Sequence, residues 1–115
     1  VGLRKVTKNG QLVRVIDFLG ENRRKRHQDW KDRFKENTDR MADGSLLAVA
    51  EVLKCLLEVQ SGNKVLSFRE KKMLDRARHM LITEMCTSRS VSETQAVSVY
   101  EKALQKAKLH FPEAM

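Results

Sequence analysis

The stretch SLLAVAEVLKCLLEVQS, Ser45 to Ser61, decides the fold. Its apolar members Leu46, Leu47, Val49, Ala50, Val52, Leu53, Leu56, Leu57 and Val59 cover most of a helical circumference, which predicts a central helix touched by neighbours on several sides. Ser45 is placed to cap it and Ser61-Gly62-Asn63 to break it. Glu51 and Lys54 interrupt the apolar run, which is also too short to cross a bilayer.

Working towards the N-terminus, Asp43-Gly44 closes a helix expected from Gln28 to Ala42, with Trp30, Phe34, Thr38 and Met41 on one side at helical spacing. Ahead of it Arg23, Arg24, Lys25 and Arg26 are consecutive without an apolar member, the pattern of a solvated connector. A first helix follows Asn9 and Gly10, its stripe Leu12, Val13, Ile16 and Leu19 ended by Gly20.

Towards the C-terminus, Ser67-Phe68-Arg69-Glu70 reads as a capping box: Ser67 accepts from the N3 amide and Glu70 reaches back. The helix it opens turns Met73, Leu74, Ala77, Met80, Leu81 and Met85 inward, presents Arg69, Lys72, Arg76 and His79 outward, and ends near Cys86 to Ser88. Ser90 with Glu93 suggests a second box, before a last helix with Ala96, Val97, Tyr100, Ala103, Leu104 and Ala107 as its stripe and Pro112 beyond its end. Tyr100 and Phe18 are assigned to the core. The expectation is a single all-α domain over residues 1–115, a compact bundle of about five helices with residues 108–115 as a C-terminal tail.

Composition agrees. With 115 residues, one Pro, five Gly and 5% aromatics, the chain lacks the turn chemistry and aromatic pairing of a sandwich or barrel. A formal charge of +8 favours a polyanionic partner. Cys55 and Cys86 stand far apart and read as inert, apolar-lined filler in a reducing, cytoplasmic setting, and the N-terminus lacks the apolar core of a signal peptide. His27, His79 and His110 have no metal-ligand spacing, and the dispersed glycines form no phosphate loop; all but Gly2 are read as helix enders. Glu36 and Asp39 read as a solvated face. No enzyme, metal, cofactor, membrane or small-molecule substrate is expected.

What remains is Arg23 to Lys35, where Arg23, Arg24, Lys25, Arg26, Lys31, Arg33 and Lys35 face only Asp29 and Asp32, with Trp30 and Phe34 interleaved. Cations that neutralise phosphates supply salt-dependent affinity, and an exposed ring stacks on an unpaired base for about 1–3 kcal/mol. By periodicity alone, the spacing of Trp30, Phe34 and Met41 favours a buried stripe. Three functional readings therefore stand at this point: DNA binding, a protein-interaction adaptor with a basic face for an acidic partner, and RNA binding.

Trp30-Lys-Asp-Arg-Phe-Lys35, Met41-Ala-Asp-Gly44, Val49-Ala-Glu-Val-Leu53 and Ser67-Phe-Arg-Glu-Lys-Lys-Met-Leu-Asp-Arg-Ala-Arg78 resemble the C-terminal domain of the CarD/CdnL bacterial transcription regulators, over roughly Val1 to Ala107. The resemblance implies a helical domain at the upstream edge of the transcription bubble, near the −10 element. There it stabilises the RNA polymerase open complex, with Trp30 as a minor-groove wedge. It places Arg33, Lys35 and Lys71 on family cationic positions, with Lys72 and Arg76 as helpers. It also implies an N-terminal β-rich domain that binds the polymerase β subunit, with residues 1–6 as the linker from it, and a location on the bacterial nucleoid. Asp32 stands where the family can carry a basic residue, and the Arg23 to Arg26 run is more cationic than the family linker.

Overall fold

The computed structural model describes residues 8–21, 30–62, 65–109 and 111, with the side chains of Lys8, Asn9 and Trp30 outside that set. Five helices follow in order: α1 (Lys8–Leu19), α2 (Trp30–Asp43), α3 (Leu46–Ser61), α4 (Phe68–Arg89) and α5 (Glu93–Lys106). No strand occurs among the described residues. The all-α reading holds.

The apolar helix is the axle. Along α3, Val49, Ala50, Val52, Leu53, Leu56, Leu57 and Val59 are buried, and α1, α2 and α4 all pack on it. Fully burying a Leu or Val side chain is worth about 1.5–3 kcal/mol, so this helix supplies a large share of the driving force. Leu47, expected inside, is 42% exposed, while Leu46 beside it packs against the core. Ser45 caps the helix, accepting from the Ala48 amide at 3.2 Å. Just before it Gly44 turns the chain at φ +75, a conformation costly for a residue with a Cβ.

Lys54, on this same helix, is 4% exposed, and its ammonium donates to the carbonyls of Phe18 and Glu21 at 2.7 Å each. It also lies 4.5 Å from the centre of the Phe18 ring. Helix C-termini leave carbonyls unpaired, and a buried cation is tolerated where it satisfies them. Phe18 is half-buried beneath it.

α1 buries Leu12, Val15 and Leu19. Val13 is 46% exposed, which corrects the expected stripe by moving it to i, i+3, i+7. Gly10 lies inside α1, so it ends no helix. α4 starts with the expected capping box, and its C-terminus is Ser90 at φ 54. That left-handed residue cannot also open α5. The second capping box is instead Ser92 with Gln95: Ser92 Oγ accepts from the Gln95 amide at 3.2 Å, and Gln95 Oε1 accepts from the Ser92 amide at 3.0 Å.

α5 packs on α1 and α4, and Tyr100, fully buried, donates its hydroxyl to the Leu81 carbonyl at 2.7 Å. Burial pushes its phenol above the usual range. The segment expected as a tail contributes to the core: Leu109 is 2% and Phe111 5% exposed, with the Arg78 guanidinium 5.0 Å from the Phe111 ring centre. No helix of the described residues is long and apolar enough to cross a membrane.

Leu53→Ala is expected to cost about 2–5 kcal/mol in urea unfolding, the loss of a fully buried leucine. Leu47→Ala is expected to change stability by less than about 0.5 kcal/mol.

Candidate nucleic-acid interface

α2 is the least apolar of the five helices, and it seats on α3 through polar groups. Its most buried side chains are Arg33, 7% exposed, and Asn37, fully buried, whereas Phe34 and Met41 are half-buried and Thr38 is exposed. Of the expected stripe, Thr38 is outside, Phe34 and Met41 are only partly buried, and the side chain of Trp30 lies outside the described residues. The true inward stripe is Arg33, Asn37 and Arg40, at i, i+4 and i+7.

Each member meets a specific partner. Asn37 Nδ2 donates to Cys55 Sγ at 3.6 Å, and its Oδ1 accepts from Arg40 Nη1 at 2.8 Å. Arg40 also pairs with Glu51 of α3 at 3.5 Å and with Glu36 one turn back at 3.6 Å. Cys55 is thus lined by a polar amide, where apolar neighbours were expected, and burial pushes its thiol up against the smaller opposing pull of Asn37. A thiol so raised is a weak nucleophile at neutral pH.

Arg33 is the largest departure from expectation. Its Nε donates to Glu70 Oε2 at 2.7 Å and its Nη2 to Glu70 Oε1 at 3.0 Å, a two-pronged pair across 37 residues. Glu70 is 1% exposed, and the same Oε1 accepts from the Ser67 amide at 3.2 Å as part of the capping box. Burial alone would raise this carboxyl. The hydrogen bonds from Arg33 and Ser67 outweigh it and hold the carboxyl below its usual range. Arg33, expected on a phosphate, is therefore an internal residue: with its planar fork closed on a carboxylate, it has no face left for DNA.

The other described cations of the expected interface are outside. Lys31 and Lys35 on α2, and Arg69, Lys71, Lys72 and Arg76 on α4, are all exposed and form no ion pair within the described residues. Helical geometry puts Lys31 and Lys35 roughly 160–200° around α2 from Arg33, on the edge turned away from Glu70. Asp32, Glu36 and Asp39 occupy the other exposed edge. On α4, Lys72, Arg76 and His79 follow one outward stripe headed by Phe68, which is 71% exposed with the Lys72 ammonium 4.7 Å from its ring centre. The exposed cations thus lie on outer faces of α2 and α4, the two helices that Arg33 and Glu70 join.

Trp30 is the first residue of α2, three positions before Arg33. Arg23, Arg24, Lys25 and Arg26 lie outside the described residues, as does the side chain of Trp30. Phe68, with Val65 at 85% exposure just before it, is an exposed apolar pair the sequence reading missed. Its signal was present: a phenylalanine at the first position after a cap points away from a face defined by Glu70, Leu74 and Ala77. No group of three or more potential metal ligands forms among the described residues.

Arg33→Ala is expected to destabilise the fold by about 3–5 kcal/mol, because it leaves the Glu70 carboxylate buried without its cation. Lys35→Ala is expected to stay within about 0.5 kcal/mol of the parent in the same denaturation assay. With its folded-state pKa depressed, the Glu70 carboxylate contributes stability fully above its unfolded value of about 4.3, and this is lost as pH falls through the lower folded value. Urea midpoints measured from pH 6 to pH 3 should accordingly fall less steeply in Glu70→Gln than in the parent.

Comparison with known proteins bears on this surface. Residues 14–101 match the family model described as CarD, C-terminal domain. A protein of Bacillus subtilis (strain 168) named "Putative transcription factor YdeB" is 33% identical over 96 residues, covering 84% of this chain. The chain spans 62% of the length of that relative. The motifs around Trp30, Gly44 and Ser67 all lie inside the matched range, and the chain belongs to the CarD C-terminal domain family.

Proposed function

We propose that this domain regulates transcription by binding promoter DNA at the upstream edge of the transcription bubble, where it prolongs the life of the RNA polymerase open complex. The observation that carries this reading is the split in the fate of the cations. Arg33 and Arg40 are satisfied internally, while Lys31, Lys35, Lys71, Lys72 and Arg76 are left exposed without an internal counter-charge. Cations so displayed around the start of α2 suit a phosphate backbone, whose bound counterions they release. Family membership and the name of the Bacillus relative support the same reading.

In this reading Trp30, at the head of α2, is the wedge that props a frayed base step, offsetting an unstacking cost of about a few kcal/mol. The exposed lysines, Arg76 and the run Arg23, Arg24, Lys25 and Arg26 hold the phosphates. Arg33 is left out. Phe68 stands as a second ring beside Lys72, placed to meet a sugar edge or an unpaired base. Contact with the polymerase β subunit belongs to a domain outside these 115 residues, and the site of action is the nucleoid. The interface performs no chemistry.

Binding of this chain to a forked duplex carrying a −10-like sequence is expected to be tighter than to the fully paired duplex. Its affinity should fall by about 0.9 log units per log unit of salt for each phosphate neutralised. Lys35→Ala and Lys72→Ala should each flatten that slope by about 1, and Trp30→Ala should erase the preference for the fork. Equal affinity for forked DNA, paired DNA and an acidic polypeptide would instead favour a protein-interaction adaptor. A preference for single-stranded RNA would favour the RNA-binding reading.

A further inference from the structure

We propose that Arg33 and Glu70 act as a positioning pair that fixes the first turn of α2, and with it the backbone of Trp30, against the N-terminus of α4. The inference rests on the DNA-binding reading for its purpose, and on geometry alone for its physical content.

A helix normally finds its rotation and its height on a neighbour from an apolar stripe that fits in one register. α2 has little of that: Arg33 and Asn37 hold its most buried positions, with the partly buried Arg40 behind them. Its main packing partner is α3, and its polar seat there is an amide on a sulfur and an arginine on a half-exposed Glu51, with one partly buried methionine, Met41, against the core. Such contacts tolerate sliding. The two-pronged bond from Arg33 to Glu70 does not, since a planar guanidinium meets both carboxylate oxygens only over a narrow range of distance and angle.

The carboxylate is in turn held by the cap of α4 through the Ser67 amide. The start of α2 is thereby referred to the start of α4, where Phe68, Lys71 and Lys72 are displayed. Buried charge pairs are poor sources of stability and better sources of register, and this one sits where register has a use. Arg33 thus serves the interface without touching DNA.

The test is the double variant Arg33→Met, Glu70→Gln in this chain. Met keeps most of the volume, and Gln keeps the capping box, so both charges go while the fold is retained. Amide exchange is read by NMR, and fork preference by competition between forked and paired duplexes. The amides of Phe34, Asn37 and Thr38 are expected to exchange at least tenfold faster, while those of Leu53 and Leu81 hold. Fork preference should fall to that of Trp30→Ala.

Unchanged exchange in α2 overturns the proposal, and so does fork preference that survives faster exchange. An equal rise in exchange through α3 and α4 also overturns it, since that marks a general stabiliser. Arg33→Lys, which keeps the charge and loses the second prong, should give an intermediate rise confined to α2. If Trp30→Ala itself keeps the fork preference, the DNA reading fails on its own, and exchange alone then decides whether the pair fixes α2.

Discussion

The Glu70 carboxylate is buried to 1% exposure under two helix N-termini, and the layout of the outer surface follows from how its charge is met. Taking a carboxylate out of water costs several kcal/mol even after relaxation, so it persists only where donors replace the lost hydration. Here the donors come from Arg33, the Ser67 amide and the Ser67 hydroxyl at 3.4 Å, and the first turn of α4 adds the positive end of its dipole. One side chain therefore completes a helix cap and receives a second helix. The two roles meet on one oxygen, Oε1, which accepts from both Arg33 and the Ser67 amide, while Oε2 accepts from Arg33.

Lys54 shows the same logic on α3 itself. A long cationic side chain, almost wholly buried, reaches the Phe18 and Glu21 carbonyls at the end of α1. Its apolar stem packs as a core residue would, and its ammonium replaces the water those carbonyls would otherwise need. The apolar axle thus carries two different attachments. α1, α4 and α5 are joined by leucines, valines and the Tyr100–Leu81 hydrogen bond, whereas α2 is joined by arginines and an asparagine, with the half-buried Met41 packed on the core beside them. A bundle assembled this way has a firm body and one helix whose placement depends on charge.

Much of the body was legible in the sequence because burial writes a period. The run from Leu46 to Val59 could be nothing but a central helix, and Ser67 with Glu70 marked the start of α4 to the residue. The errors fall where a side chain's partner lies far along the chain. Ser90 and Ser92 both precede a plausible third-position acceptor, and only the left-handed φ of 54 at Ser90 separates them. Arg33 sat in a cationic run with Lys31 and Lys35 and shared their reading. The stripe Arg33, Asn37, Arg40 was there to be found, but a polar stripe looks like a solvated face until Glu70 and Glu51 are seen opposite it. Phe68 escaped for the complementary reason: a hydrophobic residue in a capping sequence looks like core until the face is counted.

The partition between arginine and lysine in α2 follows from their chemistry. A guanidinium is weakly hydrated, flat and able to make two parallel bonds, so it goes inside at lower cost and sets geometry there. An ammonium is compact and strongly hydrated, and stays in water. Arg33 and Arg40 are accordingly turned to Glu70 and Glu51, while Lys31 and Lys35 are left outside. The formal charge of +8 is a property of the whole chain and already sets Glu70 and Glu51 against Arg33 and Arg40. On the proposed reading, a phosphate approaching the outer edge of α2 meets Lys31 and Lys35, and the internal pairs fix where the excess charge stands without changing its sum. Because lysine reads phosphate as a point charge, with no preferred fork, such an edge adds affinity without sequence preference. On the same reading, the preference for melted over paired DNA is assigned to Trp30 at the head of the helix, which gives the register of that head its use.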